Sequence, residues 1–212
     1  ERIPDMRPYS GDLFQRLCST DIRPGRVLDL GCGPGAYDLR YIQSRGPSIC
    51  VGIDMVFGGD NRDAEISYVK SDIEDFDLPF ADESFDIVIL HNVIEHLSDP
   101  PRVLRESFRI LAHGGILSVV TENQACLRNR LKLLAGMSIY FPISRWISQQ
   151  DRVEKSGRSV FTGHVREYTR QEIRQMLHGS GFVLDVLRLH SAAHSSNQVS
   201  GGSSSGACFI DG

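Results

Sequence analysis

Short apolar runs alternate with amphipathic segments along the first 120 residues. The run at 85–90 is almost continuously apolar, which is typical of strands that are covered on both faces in a parallel sheet. The intervening segments at 36–44 and at about 100–112 have helical spacing, and Asp99 and Pro100 suit the start of the second helix. The five predicted strands are 26–30, 48–54, 66–69, 85–90 and 116–120. This repeated order of strand and helix predicts a doubly wound, Rossmann-like α/β fold.

The pattern changes between residues 123 and 168. Leu127, Leu131 and Leu134 share one helical face, and the only tryptophan, Trp146, follows in an irregular apolar stretch. This segment lies between the fifth predicted strand and the next helix. We therefore interpret residues 123–168 as an inserted, partly helical lid on the substrate side of the sheet.

Regular structure returns at Thr169, which can form a capping box with Glu172 and start a helix. Residues 182–189 predict a sixth strand, and residues 195–206 are a flexible link rich in Ser and Gly. Residues 207–210 form either a short last strand or a frayed end. The sequence thus predicts one domain over residues 1–212, with a mostly parallel seven-stranded sheet, helices on both faces and the lid.

The composition is that of a folded globular protein. Of the 212 residues, 41% are hydrophobic and 24% are charged, which excludes disordered, collagen-like and coiled-coil chains. No apolar run approaches the roughly 18 residues of a membrane-spanning helix, and residues 1–5 carry charges where a secretory signal would be apolar. The five cysteines form no Cys-x-x-Cys pair, which argues against a disulfide framework or a structural zinc site. We expect reduced thiols and a cytoplasmic location.

Charge is distributed unevenly along the chain. Residues 1–125 contain 12 basic and 21 acidic residues, whereas residues 126–174 contain 10 basic and 4 acidic residues. The basic segment covers most of the predicted lid, so it could meet an anionic partner such as a phosphate, a carrier arm or a membrane surface. An ordinary solvated surface rich in Arg explains the same pattern, and both interpretations stay open.

The turn after the first predicted strand is the strongest chemical signal. Its three alternate glycines permit a tight turn and let a ligand approach the backbone closely. The spacing also fits a dinucleotide-binding fingerprint. Three features favour another ligand: Asp29 places a carboxylate at the mouth of the loop, Pro34 stiffens it, and Asp72 follows the third strand. Asp54, at the end of the second strand, can accept both hydroxyls of a ribose.

The ordered series of motifs resembles the class I S-adenosylmethionine (SAM) dependent methyltransferases, in particular the small-molecule branch of ubiquinone and menaquinone biosynthesis enzymes. The likeness is close over about residues 24–122 and resumes at 164–184. One departure is His113, where the family usually has Lys-Pro before two glycines, and this turn position implies no loss of function. The matching motifs are Val27–Gly35, Gly52–Asp54, Ser71–Ile73, Leu78–Phe80, Ser84–Val88, Glu95–Leu97, Leu104–Leu111, Gly114–Leu117 and His164–Thr169.

The resemblance implies SAM as the cofactor and S-adenosylhomocysteine (SAH) as its product. It also implies a set of contacts with the cofactor. The methionine part of SAM would be held by Asp29, Gly31, Cys32, Gly33 and Gly35. The ribose hydroxyls would be bound by Asp54, the adenine by Met55, Asp72 and Ile73, and the methyl-transfer site would be lined by His91 and Asn92.

Methyl transfer is an in-line displacement at a carbon that the sulfonium already activates, so the main task of the protein is alignment. A weakly acidic acceptor hydroxyl also needs a base, for which the candidates are His91, His96 and His164, with Glu95 and Tyr168 as helpers. The spacing of these residues differs from His-Glu-x-x-His, so we expect no metal site. The residues expected to contact the acceptor are Tyr140, Trp146, Arg166 and Tyr168.

The sequence favours a methyltransferase that acts on a small-molecule or lipid-like acceptor, and it favours oxygen over nitrogen or carbon as the methylated atom. A second hypothesis is an RNA or protein methyltransferase that uses the basic lid as a docking face. The chain lacks the Asn-Pro-Pro-Tyr type of motif that such enzymes use for planar amino groups, so we do not expect nucleic acid as a partner. A non-catalytic SAM-binding subunit is a third hypothesis, and a nicotinamide oxidoreductase is a fourth. The sequence determines neither the acceptor nor the oligomeric state.

Overall fold

A parallel sheet organises the part of the chain that the computed structural model describes, residues 25–44, 49–55, 65–75, 77–140 and 164–183. Its strands are β1 (Arg26–Leu30), β2 (Ile49–Asp54), β3 (Ile66–Lys70), β4 (Phe85–His91) and β5 (Leu111–Val120). The helices in the described ranges are α1 (Tyr37–Gln43), α2 (Pro100–Ile110), α3 (Leu127–Leu134) and α4 (Arg170–Gly179). A short 3₁₀ helix spans Ile94–His96, just after β4.

The order of the strands confirms the predicted Rossmann-like fold. The sheet runs β3-β2-β1-β4-β5, and every neighbouring pair of strands is parallel. The chain order reverses between β1 and β4. In open α/β sheets, ligands bind at such a reversal, beyond the carboxyl ends of the strands. The loops that follow β1, β2, β3, β4 and β5 therefore outline the region in which a functional site is expected.

The described sheet has five strands, whereas the sequence predicted seven. Only residues 182 and 183 of the predicted sixth strand are described, and they are not in a strand. The predicted last strand at 207–210 and the link at 195–206 lie outside the described residues. β5 also starts at Leu111 rather than at residue 116, because the chain becomes extended directly after α2. Gly114 and Gly115, which suggested a turn before the strand, lie where the pairing of β4 with β5 shifts register.

Alternating strand residues build a hydrophobic core on each face of the sheet. Helix α1 packs Leu39 and Ile42 against one face, and helices α2 and α4 pack Leu104 and Leu177 against the other. The first face is formed by Val27, Ile87, Ile89, Ile116 and Val120, and the second by Leu28, Leu30, Val88, Leu90, Leu117 and Val119. The prediction of helices on both faces is therefore confirmed.

Two predicted helix starts are also confirmed. The side chain of Asp99 accepts the N–H of Arg102 at 3.2 Å, and Pro100 is the first residue of α2. Thr169 and Glu172 form the predicted capping box at α4, with the Thr169 N–H donating to the carboxylate at 2.8 Å. Because α4 packs into the core on one face of the sheet, the residues just before it are held close to the sheet.

The predicted leucine stripe beyond β5 lies on a helix, but its side chains are exposed. Leu127, Leu131 and Leu134 of α3 are all open to solvent in the structure. Residues 141–163, which include Trp146, lie outside the described part of the chain. The inserted lid at 123–168 therefore remains a prediction. None of the helices in the described ranges is both long enough and apolar enough to cross a membrane.

Candidate active site

The loop after β1 folds back onto β2 through backbone hydrogen bonds. The N–H groups of Gly31 and Cys32 both donate to the carbonyl of Ile53, at 2.8 and 3.1 Å. Gly31 and Gly33 have φ angles of +75° and +66°, in the left-handed region that favours glycine. A Cβ atom on Gly31 would lie 2.5 Å from Val93, whereas one on Gly33 would meet no atom within 4 Å. Val93 thus fills the space beside Gly31, whereas the space beside Gly33 is free of protein atoms and lets a ligand approach the backbone.

Three carboxylates gather around this loop, from Asp29 in β1, Asp38 in α1 and Asp54 at the end of β2. Asp54 Oδ2 accepts the N–H of Gly33 at 2.8 Å. Asp29 is only 3% exposed. Its pKa is raised well above the usual value, first by burial and then by the charges of Asp38 and Asp54. Burial and the charges of Asp29 and Asp54 also raise the pKa of the Cys32 thiol to about 12, so this thiol stays protonated.

The residues predicted to bind the adenine follow β2 and β3. Met55, directly after β2, is 42% exposed. In the turn after β3, Asp72 Oδ1 accepts the N–H of Glu74 at 2.9 Å, and Ile73 packs against the core. Because β3, β2 and β1 are neighbours in the sheet, these residues lie at the same edge as the glycine loop. The structure therefore brings the predicted ribose and adenine contacts to one edge.

His91, the last residue of β4, is held by two hydrogen bonds on the α1 face of the sheet. Its Nδ1 lies 2.9 Å from Asp38 Oδ2, and its Nε2 lies 2.9 Å from Ser118 Oγ. In the neutral ring, Nδ1 donates to the carboxylate and Nε2 accepts from the hydroxyl. The side chain is only 7% exposed. Both ring nitrogens are thus engaged, and His91 suits the positioning of Asp38 better than the abstraction of a proton.

Asn92 follows His91 and adopts a left-handed conformation with a φ angle of +54°. Its N–H donates to the carbonyl of Val120 at 2.7 Å, which ties the chain after β4 to the end of β5. The residue is exposed at the carboxyl edge of the sheet. The role of Asn92 beside the methyl-transfer site stays a prediction.

A second polar cluster lies beyond the carboxyl ends of β4 and β5. It contains Glu95 and His96 of the 3₁₀ helix, Glu122 after β5, and His164 and Glu167 before α4. The backbone holds these segments together, because the N–H groups of Val165 and Arg166 donate to the carbonyl of Glu95 at 2.7 and 3.2 Å. The Glu95 side chain is 1% exposed, and its Oε2 accepts the hydroxyl of Thr121 at 2.8 Å.

His164 lies at the centre of this cluster. Its Nδ1 is 3.4 Å from Glu167 Oε1 and 3.9 Å from Glu122 Oε2. Its ring packs edge-on against the ring of His96, with the centroids 5.0 Å apart. The pKa of His164 is raised by the hydrogen bond with Glu167 and then by the charges of Glu95 and Glu122, while burial acts in the opposite direction. The structure therefore groups His96 and His164, two of the three predicted bases, with three carboxylates.

The residues predicted to contact the acceptor differ in their exposure to solvent. Arg166 is exposed, pairs with Glu172 and places its guanidinium carbon 5.4 Å from the centre of the Tyr168 ring. Tyr168 belongs to the hydrophobic core, and burial raises the pKa of its hydroxyl. Tyr140 is exposed, and Trp146 lies outside the described residues. Tyr168 is therefore better placed to support the sheet than to meet an acceptor.

Sequence reasoning missed four residues of the site, namely Asp38, Ser118, Glu122 and Glu167. Asp38 lies in the first turn of the helix that follows the glycine loop, and an acidic residue there was an available signal. Ser118 is a buried polar residue inside an otherwise apolar strand, which also indicates a specific hydrogen bond. Glu122 follows β5 by two residues, so the alignment of strand ends could have drawn attention to it.

Comparison with known proteins identifies the family of the chain. A family profile described as a methyltransferase domain matches residues 4–186. The chain is 27% identical over 161 residues to malonyl-[acyl-carrier protein] O-methyltransferase of Legionella pneumophila, which covers 71% of this chain and 55% of that protein. It is 34% identical over 110 residues to the ubiquinone/menaquinone biosynthesis C-methyltransferase UbiE of Vibrio vulnificus, with 46% and 42% covered. The chain thus spans about half the length of the curated relatives it matches.

Solved structures of methyltransferases have a similar fold. A SAM-dependent methyltransferase of Methanosarcina mazei has a TM-score of 0.63 at 19% identity, with 98% of this chain and 97% of that chain covered. The 1,6-didemethyltoxoflavin-N1-methyltransferase of Burkholderia thailandensis, solved with S-adenosylhomocysteine, also has a TM-score of 0.63, at 16% identity with 97% and 76% covered. The profile match spans most of the sequence and agrees with the fold and the motif series. The chain therefore belongs to the methyltransferase domain family, within the class I SAM-dependent methyltransferases.

Proposed function

We propose that this domain transfers a methyl group from SAM to an oxygen atom of a small-molecule acceptor. The observation that carries the proposal is the group of Asp29, Asp38 and Asp54 around the glycine loop. SAM would bring its positive ammonium and sulfonium groups to this loop, and a nearby cation favours the charged form of a buried carboxylate. A nicotinamide dinucleotide would instead bring its pyrophosphate to the same carboxylates and be repelled. The oxidoreductase hypothesis is therefore set aside.

SAM would lie across the carboxyl ends of β1, β2 and β3. Its methionine part would contact the loop near Gly33 and Asp29, and its adenine would meet Met55 and Asp72. Asp54 would accept the ribose hydroxyls while one of its oxygens also fixes the N–H of Gly33. The binding of the ribose and the shape of the loop are thus coupled through one side chain.

The first test is the variant Asp54→Ala. It removes an acceptor of the ribose hydroxyls, and hydrogen bonds to a charged group contribute about 1.5–3 kcal/mol. We expect calorimetry to show SAM binding weakened by roughly 10- to 150-fold. Asp77→Asn removes a carboxylate whose side chain is 85% exposed and serves as the control. Wild-type affinity in Asp54→Ala would exclude Asp54 from the site.

Asp29→Asn is expected to act in opposite directions on the empty and the SAM-bound protein. The pKa of Asp29 is raised in the folded chain, so the stability of the empty protein falls as the pH rises from the usual value of about 4 through the raised one. The side chain of Asn does not ionise, so the variant does not lose this stability as the pH rises. We therefore expect a higher Tm than wild type at neutral pH without SAM, a difference that disappears near pH 4, and weaker SAM binding. Thermal unfolding at several pH values and calorimetry measure the two effects. A lower Tm at neutral pH together with unchanged SAM affinity would contradict the assignment.

The second cluster supports oxygen as the methylated atom. Histidine and carboxylate side chains lie beyond the ends of β4 and β5, where we expect the acceptor to approach the methyl group, and they can promote the loss of a hydroxyl proton. An oxygen lone pair then forms the new O–C bond, and the electrons of the broken C–S bond stay on sulfur and give neutral SAH. The relative named as an O-methyltransferase supports this choice. Carbon is the second candidate, because another relative is named as a C-methyltransferase.

The positive charge of residues 126–174 indicates the class of acceptor. Residues 126–174 are rich in Arg, so we favour an acceptor with an anionic group, either free, lipid-linked or attached to a carrier. The experiment is incubation with methyl-labelled SAM and a panel of carboxylic acids, carrier-bound acyl thioesters and isoprenoid phenols, followed by mass spectrometry. We expect a methyl ester or a methyl ether. A product methylated on carbon or nitrogen would replace this proposal, and SAM binding without any turnover would favour a non-catalytic subunit.

A further inference from the structure

We propose that Glu95, His96 and His164 form a binding site for one divalent transition-metal ion beside the methyl-transfer site. One potential ligand atom of each residue lies within 4.8 Å of the other two. Two imidazoles and one carboxylate form a donor set that holds first-row divalent metals and leaves coordination positions open for other ligands. His164 is 68 residues beyond His96, so only the fold brings the three together.

Two further carboxylates beside His164 have the place of outer partners. Glu122, His164 and Glu167 also have ligand atoms within 4.8 Å of one another, and both carboxylates face Nδ1 of the ring. A histidine that binds a metal usually donates its second ring N–H to a carboxylate, which fixes its tautomer and orientation. Nε2 of His164 would therefore be the nitrogen that binds the metal.

The structure also holds Glu95 as a ligand requires. The Thr121 hydroxyl donates to Glu95 Oε2, and carboxylates that bind metals are commonly fixed by such hydrogen bonds. The Glu95 carbonyl accepts the N–H groups of residues 165 and 166, which keeps His164 beside it. Ligand atoms on metal bonds of about 2.0–2.2 Å are separated by about 3.3–3.6 Å in a tetrahedral site. The present separations of up to 4.8 Å therefore need side-chain adjustments on the order of 1 Å.

The charge of the cluster favours the same conclusion. Three carboxylates meet two imidazoles at the carboxyl edge of the sheet, and two of these carboxylates, on Glu95 and Glu167, are buried. Buried carboxylates in proteins are paired or coordinate metals, and a divalent cation at this place would be a partner for both of them. The sequence predicted no metal because it shows only the local spacing around His96.

The role of the ion rests on the proposed function. Its open positions would bind the acceptor oxygen at the end of β4, next to β1 and the glycine loop. A bound divalent ion can lower the pKa of water to about 7, and a bound hydroxyl responds in the same way. The hydroxyl proton would leave to solvent, the oxygen lone pair would form the O–C bond, and the C–S electrons would stay on sulfur.

The test measures metal binding directly, without an acceptor. The protein is treated with EDTA and titrated with Mn²⁺ under electron paramagnetic resonance and with Zn²⁺ under calorimetry. We expect one ion per chain, affinity lowered by about 100-fold or more in His96→Gln and in His164→Gln, and lowered by about 10- to 100-fold in Glu167→Gln. His113→Gln is the control, because His113 is exposed near the amino end of β5, away from the cluster. Circular dichroism and SAM binding verify that each variant is folded.

The outcomes separate this inference from the proposed function. Failure of the wild type to bind either ion, or equal affinity in both histidine variants and the wild type, would overturn the metal site. SAM binding by the EDTA-treated protein would then leave the methyltransferase proposal intact. Metal binding that depends on His96 and His164, with no SAM binding, would support the site and overturn the cofactor assignment.

Discussion

Gly33→Val is expected to abolish detectable SAM binding while the fold persists. The space around a Cβ atom at Gly33 holds no protein atom within 4 Å, so a branched side chain would enter the volume that we assign to the ligand. A steric conflict of about 3 kcal/mol or more weakens binding by about 100-fold or more. The φ angle of +66° adds backbone strain of about 1–2 kcal/mol, so a moderate fall in Tm is also expected. Calorimetry with SAM and circular dichroism measure the two effects.

Two other glycines separate strain from loss of the ligand site. Gly136 has a φ angle of +69° and open surroundings but lies outside the loop, so Gly136→Val should lower Tm and leave SAM affinity unchanged. A Cβ atom on Gly31 would collide with Val93, so Gly31→Ala should destabilise the fold itself. A folded Gly33→Val protein that binds SAM like the wild type would show that the loop does not bind the cofactor.

His164→Ala is expected to lower methyl transfer by about 100- to 10,000-fold, the usual contribution of a group that assists proton transfer. SAM affinity should change little, because His164 lies beyond β4 and β5 rather than at the glycine loop. Turnover is measured with an acceptor that the wild type methylates, and SAM binding by calorimetry. His113→Ala, at the far end of β5, is the matched control.

The metal content of the protein distinguishes the two ways in which His164 could act. A loss of turnover that also occurs when the wild type is freed of metal supports a metal ligand. A loss confined to the variant, with a wild type that works equally well without metal, supports a general base. Unchanged turnover in His164→Ala would reduce this histidine to a structural contact and leave His96 as the remaining candidate.

The central sheet could be predicted because β4 is a nearly continuous apolar run, which is typical of a strand covered on both faces, and because strands and helices alternate along the chain. The glycine loop, Asp54 and the capping box at Thr169 could be predicted because their signals are local. The start of β5 could not, since Gly114 and Gly115 resemble a turn and only the pairing with β4 shows that the strand passes through them.

The acceptor side was harder to predict because its contacts are distant in the sequence. Asp38 and Ser118 occupy the two nitrogens of His91, and neither partner is recognisable from spacing alone. Tyr168 was predicted to contact the acceptor but packs into the core. It directly precedes Thr169, the N-cap of α4, and α4 packs into the same core. The grouping of His96 with His164 likewise follows from backbone hydrogen bonds that span about 70 residues of sequence.

The pairing of Asn123 with Tyr168 holds the two ends of the stretch between them side by side. The two residues form a parallel bridge, and the Gln124 N–H donates to the Tyr168 carbonyl at 3.0 Å, so both ends of the stretch are fixed at neighbouring points. The entropy of closing a loop between fixed ends changes by only about 0.6 kcal/mol when its length doubles. The length and chemistry of the stretch between these two ends are therefore expected to vary at little cost to the sheet. One cofactor-binding frame could in this way serve a series of enzymes that differ mainly in the acceptor they select.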